Sequence, residues 1–319
     1  MAKTIAEYLD WLDERSELLW PRPPRIKPLK ATPYLESLPG IKGVLWANYG
    51  TLLRIDMGRL LHLHPQEIRM QVALEKTITE FNMWYSMSRK PGQPWEYMLQ
   101  QYRKVVEDAQ MVATKKKGDS PEINSSKVWG TLIERLIRNE YSYDTDLYGT
   151  EEELADKVAY FFHANLQGVE ASEDACETLQ RLMNAGIPSG VVDDGQVFTL
   201  PQLHRALRQQ APLPSLTDAI APDLTLLSFQ VGLRKPSPSF FQRAVAAVES
   251  RGWKPENVLY VTHRLKDDLA AAKSVGFRTA LFVADKNSCE VKGSDVRQPE
   301  FKPDRLFTRI RQVIDVLEI

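Results

Sequence analysis

Four short segments of this 319-residue chain carry polar or charged side chains directly after apolar runs, where a strand would deliver them to a crevice. They are Ala47-Asn48-Tyr49-Gly50-Thr51 after Val44-Leu45-Trp46, Asp193-Asp194-Gly195 after Val191-Val192, Lys235-Pro236, and Thr262 to Asp268 after Val258 to Val261. Ligands of open parallel sheets bind outside the carboxyl ends of the strands, so chemistry is expected at these positions. Asp193, Asp194, Lys235, His263 and Asp268 could form ion pairs or move protons. The first segment instead offers a methyl, an amide and a phenol. An unperturbed phenol, with a pKa near 10, is a poor base at neutral pH, and the hydroxyls of Tyr49, Thr51 and Thr262 sit in no recognisable activation pattern.

The elements that must hold these residues follow from periodicity. Residues 4–19 place Ile5, Tyr8, Leu9, Trp11, Leu12 and Leu19 on one helical face, and the proline-rich 20–28 predicts an extended strap. The even charge of the helix's polar face favours docking on the body over a membrane or partner role. A strand at 42–47 is followed by a long helical stretch, 57–165, with a flexible loop predicted over 114–126. The lysine run Lys115-Lys116-Lys117 in that loop is an alternative phosphate contact. From 173 onward helix and strand alternate, which implies a parallel sheet covered on both faces, and 303–319 predicts a closing helix. The expected organisation is an amino-terminal helix and strap (1–40), an α/β core (41–56 and 166–319) and an inserted all-helical domain (57–165).

Bulk composition narrows the function. With 41 basic against 42 acidic residues, nothing points to nucleic acid or an anionic membrane as partner. The two cysteines, Cys176 and Cys289, form no metal or disulfide pattern, so a reducing cytoplasm is expected. The acidic residues of the first twenty positions argue against a signal peptide, and no apolar window is long enough for a membrane helix.

Taken in order, the four segments resemble the motifs of the haloacid dehalogenase-like hydrolases, over about residues 42–285. "VLWANYGTLL" resembles the first motif, an apolar run then Asp-x-Asp-Gly-Thr-Leu; "AGIPSGVVDDG" the second; "LSFQVGLRKPSPSFFQRAV" the third, with its Lys-Pro; and "NVLYVTHRLKDDLAAAKSVGFRTALFV" the fourth. The resemblance implies a Rossmann-like doubly wound parallel sheet with a helical cap. It also implies that Ala47 stands at the nucleophile's position, Tyr49 at that of the general acid and base, Asp193 at that of a hydroxyl residue, and His263 at that of a magnesium ligand. Gly50, Thr51, Lys235 and Asp268 match the family.

A methyl group cannot attack phosphorus or carbon, and loss of a nucleophile costs on the order of a millionfold in turnover. Magnesium prefers hard oxygen ligands, so its binding is expected to be weak or absent, and no other cofactor is indicated. If Ala47 lies between the strands of Asp193 and His263, Asp193 is expected to supply the counter-anion of Lys235, with His263 as a further partner. Three readings stay open for the cluster. It is a repacked structural core, a noncatalytic pocket for a small anion (Asn48, Thr51, Asp193, Asp194, Lys235, His263, Asp268), or a rebuilt hydrolase centre of Asp193, Lys235 and His263. A protein partner, or a structural or regulatory role through the amino-terminal helix, is the remaining alternative. Elsewhere, His62 and His64 lack a third metal ligand nearby in sequence, Phe81, Trp84 and Tyr85 fit an insert core, and His163 and His204 read as surface or boundary residues.

Overall fold

The computed structural model describes residues 2–87, 92–114, 116–289 and 291–319. In chain order they form α1 (Ile5–Asp13), β1 (Gly43–Trp46), β2 (Leu53–Ile55), α2 (Glu67–Glu80), α3 (Pro94–Gln110), β3 (Ser120–Pro121), α4 (Ser125–Ile137), α5 (Thr145–Tyr148), α6 (Glu151–Leu166) and β4 (Val169–Ala171). There follow α7 (Ala175–Asn184), β5 (Ser189–Asp193), α8 (Thr199–Arg208), β6 (Leu226–Leu227), α9 (Ser228–Val231), β7 (Leu233–Arg234), α10 (Pro238–Glu249), β8 (Val258–Thr262), α11 (Ala270–Ser274), β9 (Arg278–Phe282), β10 (Arg305–Phe307) and α12 (Gln312–Leu317).

The core is a six-stranded sheet ordered β10-β9-β8-β1-β5-β6, with parallel pairing throughout. Strands β1, β5 and β8 are buried along their whole length, as continuous apolar runs in a two-sided parallel sheet should be. Trp46 lies opposite Val191 on one side and Val261 on the other, so the loop that begins at Ala47 emerges between the ends of β5 and β8. From β1 the chain builds outward to β5 and β6, then crosses back to β8, which makes this a topological switch point.

Between β2 and β4, which pair antiparallel, lies the helical unit. Its central helix α6 opens on a capping box between Thr150 and Glu153 and carries three acids in its first turn, matching the positive end of the helix dipole. From Leu154 to Leu166 it is almost wholly buried among α2, α3 and α4. Among the described residues no helix is long and apolar enough to cross a membrane.

Five sequence expectations are corrected. The first helix stops at Asp13 rather than Leu19, because Arg15 turns aside to Glu17 and Glu80 and lies over the Trp11 ring. Its apolar face is already used: Tyr8, Leu9 and Leu12 are buried in the helical unit's core, while Asp13 and Asp10 pair with Arg205 and Arg208 of α8. The stretch 303–319 holds a strand as well as a helix, since Arg305–Phe307 pairs with Ala280–Phe282 at the sheet edge. Segment 114–126 is anchored rather than free, with β3 pairing antiparallel to β7 and Asn124 capping α4; Lys115 lies outside the described residues. His163 is buried, donating to or accepting from Ser125 Oγ at 2.8 Å, instead of lying at the surface. Finally, Phe81 joins the insert core but Trp84 and Tyr85 are exposed and stacked on one another, their ring centroids 3.8 Å apart.

Candidate functional site

The side chain of Lys235, just after β7, is sealed from solvent, with Nζ 2.6 Å from Asp193 Oδ1 and hydrogen-bonded to Asp268 Oδ2. Asp268 also accepts from Thr262 Oγ1 at 2.8 Å. The second oxygen of Asp193 accepts the backbone N–H groups of Asn48 (2.9 Å) and Tyr49 (2.8 Å). Two amides and an ammonium group thus converge on one carboxylate, an oxyanion site filled from within the chain. Burial works against a charged lysine, but Asp193 and Asp268 hold Lys235 protonated, well above its ordinary range. Burial likewise opposes ionisation of Asp268, and Lys235 with Arg264 overcomes it, holding the carboxyl down to about 2.

The expected pairing of His263 with Lys235 does not form. The imidazole is wedged instead between Gly50 and Gly58: a Cβ on either glycine would come within 2.3 or 2.5 Å of the ring. Its Nδ1 lies 3.4 Å from Thr51 Oγ1, and burial pushes it down to about 3, so the ring is neutral. A neutral ring in an apolar slot avoids placing a second cation beside Lys235.

Tyr49 also turns away from chemistry. Its hydroxyl donates to Gln202 Oε1 at 2.9 Å and lies 3.1 Å from Thr199 Oγ1 on α8, and burial raises its pKa above the ordinary phenol value. The Asn48 side chain is fully buried and neither amide atom is hydrogen-bonded. Asn48, Thr51 and Asp268 therefore do not line an open pocket, which corrects their inclusion in the candidate ligand set.

Outside this filled core lies a cleft of about 280 Å³ between the helical unit and the sheet. Arg59, His62 and Glu122 line one wall; Asp193, Asp194, Arg234, Lys235, Arg264 and Asp267 line the other. Arg264 is matched three times over, to Asp194 (3.2 Å), Asp267 and Asp268 (3.4 Å). Burial raises Asp194 to about 6, partly offset by Lys235. Arg59 and Arg234 have no acidic partner among the described residues, and both are exposed to the cleft.

Gln196, three residues beyond Asp193, joins the two walls. Its Oε1 accepts from Ser125 N–H at 2.8 Å, and its Nε2 donates to Ile123 O at 3.0 Å and Glu122 Oε1 at 3.2 Å. Sequence reasoning missed Arg59, Glu122, Ser125, Gln196, Arg234 and Arg264. One signal was present: Asn124 before Ser125-Ser126-Lys127 marks a helix start, which fixes where Glu122 must sit. Among the described residues no group of three or more His, Cys, Asp or Glu side chains is arranged around a metal position, at His62 and His64 or elsewhere.

Comparison with known proteins bears on the same segments. A family model described as HAD-hydrolase-like matches residues 232–313, which hold Lys235, His263 and Asp268. The chain is 30% identical over 144 residues to glyceraldehyde 3-phosphate phosphatase of Pyrococcus furiosus, covering 45% of this chain and 53% of that one.

Residues 232–313 are thus HAD-hydrolase-like.

A second relative, ribulose-1,5-bisphosphate 5-phosphatase of Halopiger xanaduensis, is 27% identical over 157 residues, covering 49% of this chain and 61% of the relative. The chain thus spans little more than half the length of these curated phosphatases. Among solved structures, a HAD phosphatase from Thermococcus onnurineus aligns over 87% of this chain and 98% of that one, at 16% identity and a TM-score of 0.48. The chain departs from the motifs it resembles at four positions: Ala47, Tyr49 and His263 are committed to packing, and Asp193 to Lys235 and the amides of Asn48 and Tyr49.

Proposed function

We propose that this haloacid dehalogenase-like protein is a noncatalytic binder of a small oxyanion, held in the cleft between helical unit and sheet. The observation that carries the reading is the Asp193 carboxylate, which already occupies the amides of Asn48 and Tyr49 and the ammonium of Lys235. The backbone amides and the ammonium there are already taken, and Ala47 has no atom to attack with. What stays unmatched is the charge of Arg59 and Arg234 at the cleft. Guanidinium groups suit carboxylate and phosphate oxygens, and the matched relatives act on glyceraldehyde 3-phosphate and ribulose-1,5-bisphosphate, both phosphate esters.

The residues present do not fit a magnesium ion. Ala47 supplies no oxygen, His263 supplies a buried nitrogen wedged between glycines, and Asp268 has Oδ2 taken by Lys235 and Thr262 and Oδ1 charge-paired with Arg264. The same contacts weigh against a rebuilt hydrolase, because Asp193 and Lys235 neutralise each other and His263 hydrogen-bonds Thr51 instead of either.

Hydrolysis of p-nitrophenyl phosphate with magnesium, measured for the parent and for Ala47→Asp, tests the catalytic half of the reading. No turnover is expected from either, since Tyr49 and His263 remain in the variant; turnover by the parent would overturn it. Calorimetric titration with sulfate tests the binding half, with loss of binding expected in an Arg59→Gln, Arg234→Gln double variant.

A further inference from the structure

Glu122 lies between β3 and α4 with its side chain 6% exposed. Its two oxygens differ. Oε1 accepts from Gln196 Nε2 at 3.2 Å, whereas Oε2 is buried without a hydrogen-bond partner, on a residue that lines the cleft. An ionised carboxylate left so would carry a full desolvation cost, and it would face Asp194 across the cleft. A neutral carboxyl resolves both problems. With Oε1 serving as the acceptor, the proton belongs on Oε2, which makes no hydrogen bond within the chain.

The groups facing Glu122 agree with this. From the segment after β2 come Arg59 and His62, whose Nε2 is 3.9 Å from Oε1. From the core come Tyr49, Asp193, Asp194, Arg234, Lys235, Arg264 and Asp267, and from α9 the Ser228 hydroxyl, itself held to Gly195. Burial first and Asp194 second raise Glu122 to about 8, against smaller downward pulls from Ser228 and Arg234. Burial and then Arg234 lower His62 to about 4, so the imidazole is neutral and offers no competing charge.

We propose that Glu122 recognises the oxyanion as a hydrogen-bond donor, its Oε2–H directed at a ligand oxygen that is charge-paired with Arg59 and Arg234. This rests on the reading of the cleft as an oxyanion site and adds the group that selects for it. The ligand class is a small anion with at least one unprotonated oxygen free to accept, such as a sulfate, phosphate or carboxylate group. Above the titration of Glu122 the donor disappears and a negative charge replaces it. Affinity must then fall about tenfold per pH unit, while between the titration of Asp194 near 6 and that of Glu122 it is level.

Sulfate keeps a constant charge across this range and serves as the probe, titrated calorimetrically into the full chain between about pH 6.5 and about pH 9.5. The parent should show a plateau and then the decline; Glu122→Gln, which keeps an N–H donor at every pH, should bind within about threefold of the parent at neutral pH and show no decline. In the parent itself, sulfate should raise the pKa of the Glu122 carboxyl, read from its carbon-13 shift, so the proposal does not depend on the variant folding. Sulfate binding that needs Arg59 and Arg234 but stays level to the top of the range would overturn the role of Glu122 and leave the oxyanion reading standing. Parallel declines in parent and Glu122→Gln would do the same. Absence of sulfate binding to the parent at every pH would overturn both.

Discussion

Lys235 Nζ and Asp193 Oδ1 lie 2.6 Å apart with both side chains closed off from solvent, and the same carboxylate caps the amides of Asn48 and Tyr49. The chain therefore fills these donors with its own anion. Removing it with Asp193→Ala should destabilise the fold by about 3–5 kcal/mol, because Lys235 keeps one partner and two amides lose theirs. The vacated space should accept a small carboxylate from solution. Urea unfolding of the variant in acetate, compared with chloride at equal ionic strength, should recover part of the loss while the parent is unaffected. A variant as stable as the parent would refute the pairing.

Acid should unfold the protein through its buried histidines. His62 is lowered to about 4 and His163 well below its ordinary value, both chiefly by burial, so the native state holds them neutral. Below the unfolded value near 6.5 the unfolded chain takes up protons that the native chain refuses. Stability should thus be fully present above about pH 6.5 and fall as pH drops, by roughly 1.4 kcal/mol per unit for each such histidine. Glu122, whose pKa is raised, works in the opposite sense: it favours the native state at low pH and loses that contribution as pH rises through about 8. Comparing His62→Asn with the parent isolates one histidine. The difference between their urea midpoints should shrink from about pH 6.5 to about pH 4, and a constant difference would show that His62 is not held neutral.

Gly50 should tolerate no side chain. It sits at φ +81°, and an added Cβ would lie 2.3 Å from His263 Cε1 and 2.6 Å from the Gly58 carbonyl oxygen. Backbone strain of about 1–3 kcal/mol and overpacking of similar size should add in Gly50→Ala. Combining it with His263→Ala should recover the clash with the ring but leave the strain and the contact with the Gly58 carbonyl, which equilibrium unfolding of the two variants would separate.

Deleting residues 2–25 should weaken the whole molecule rather than an appendage. Tyr8, Leu9 and Leu12 are buried in the helical unit while Asp10 and Asp13 hold α8, so α1 ties the two parts together. Loss of three buried side chains predicts on the order of 5 kcal/mol and a lower melting temperature. An unchanged melting curve would contradict that docking.

The sheet was legible from local patterns and the pairing of Asp193 with Lys235 from the cost of a lone buried charge, while the strand order around β1 came from the family resemblance. What stayed hidden depends on distant partners. Arg305–Phe307 is a strand only because β9 lies beside it. The polar loop 114–126 is ordered by β7 and by Gln196, far along the chain. His163 looks like a surface residue until Ser125 and Phe198 close over it. The slot for His263 could not be read either, because it needs Gly50 and Gly58 to approach each other across a turn.

That slot makes the departure from the family hard to retrace. An acid at position 263 would leave a void between two glycines and bring a further negative charge toward Asp268, while an acid at position 47 would enter a space sealed by apolar neighbours. Each such single substitution predicts a less stable protein, so the geometry works as a ratchet that holds these side chains as they stand.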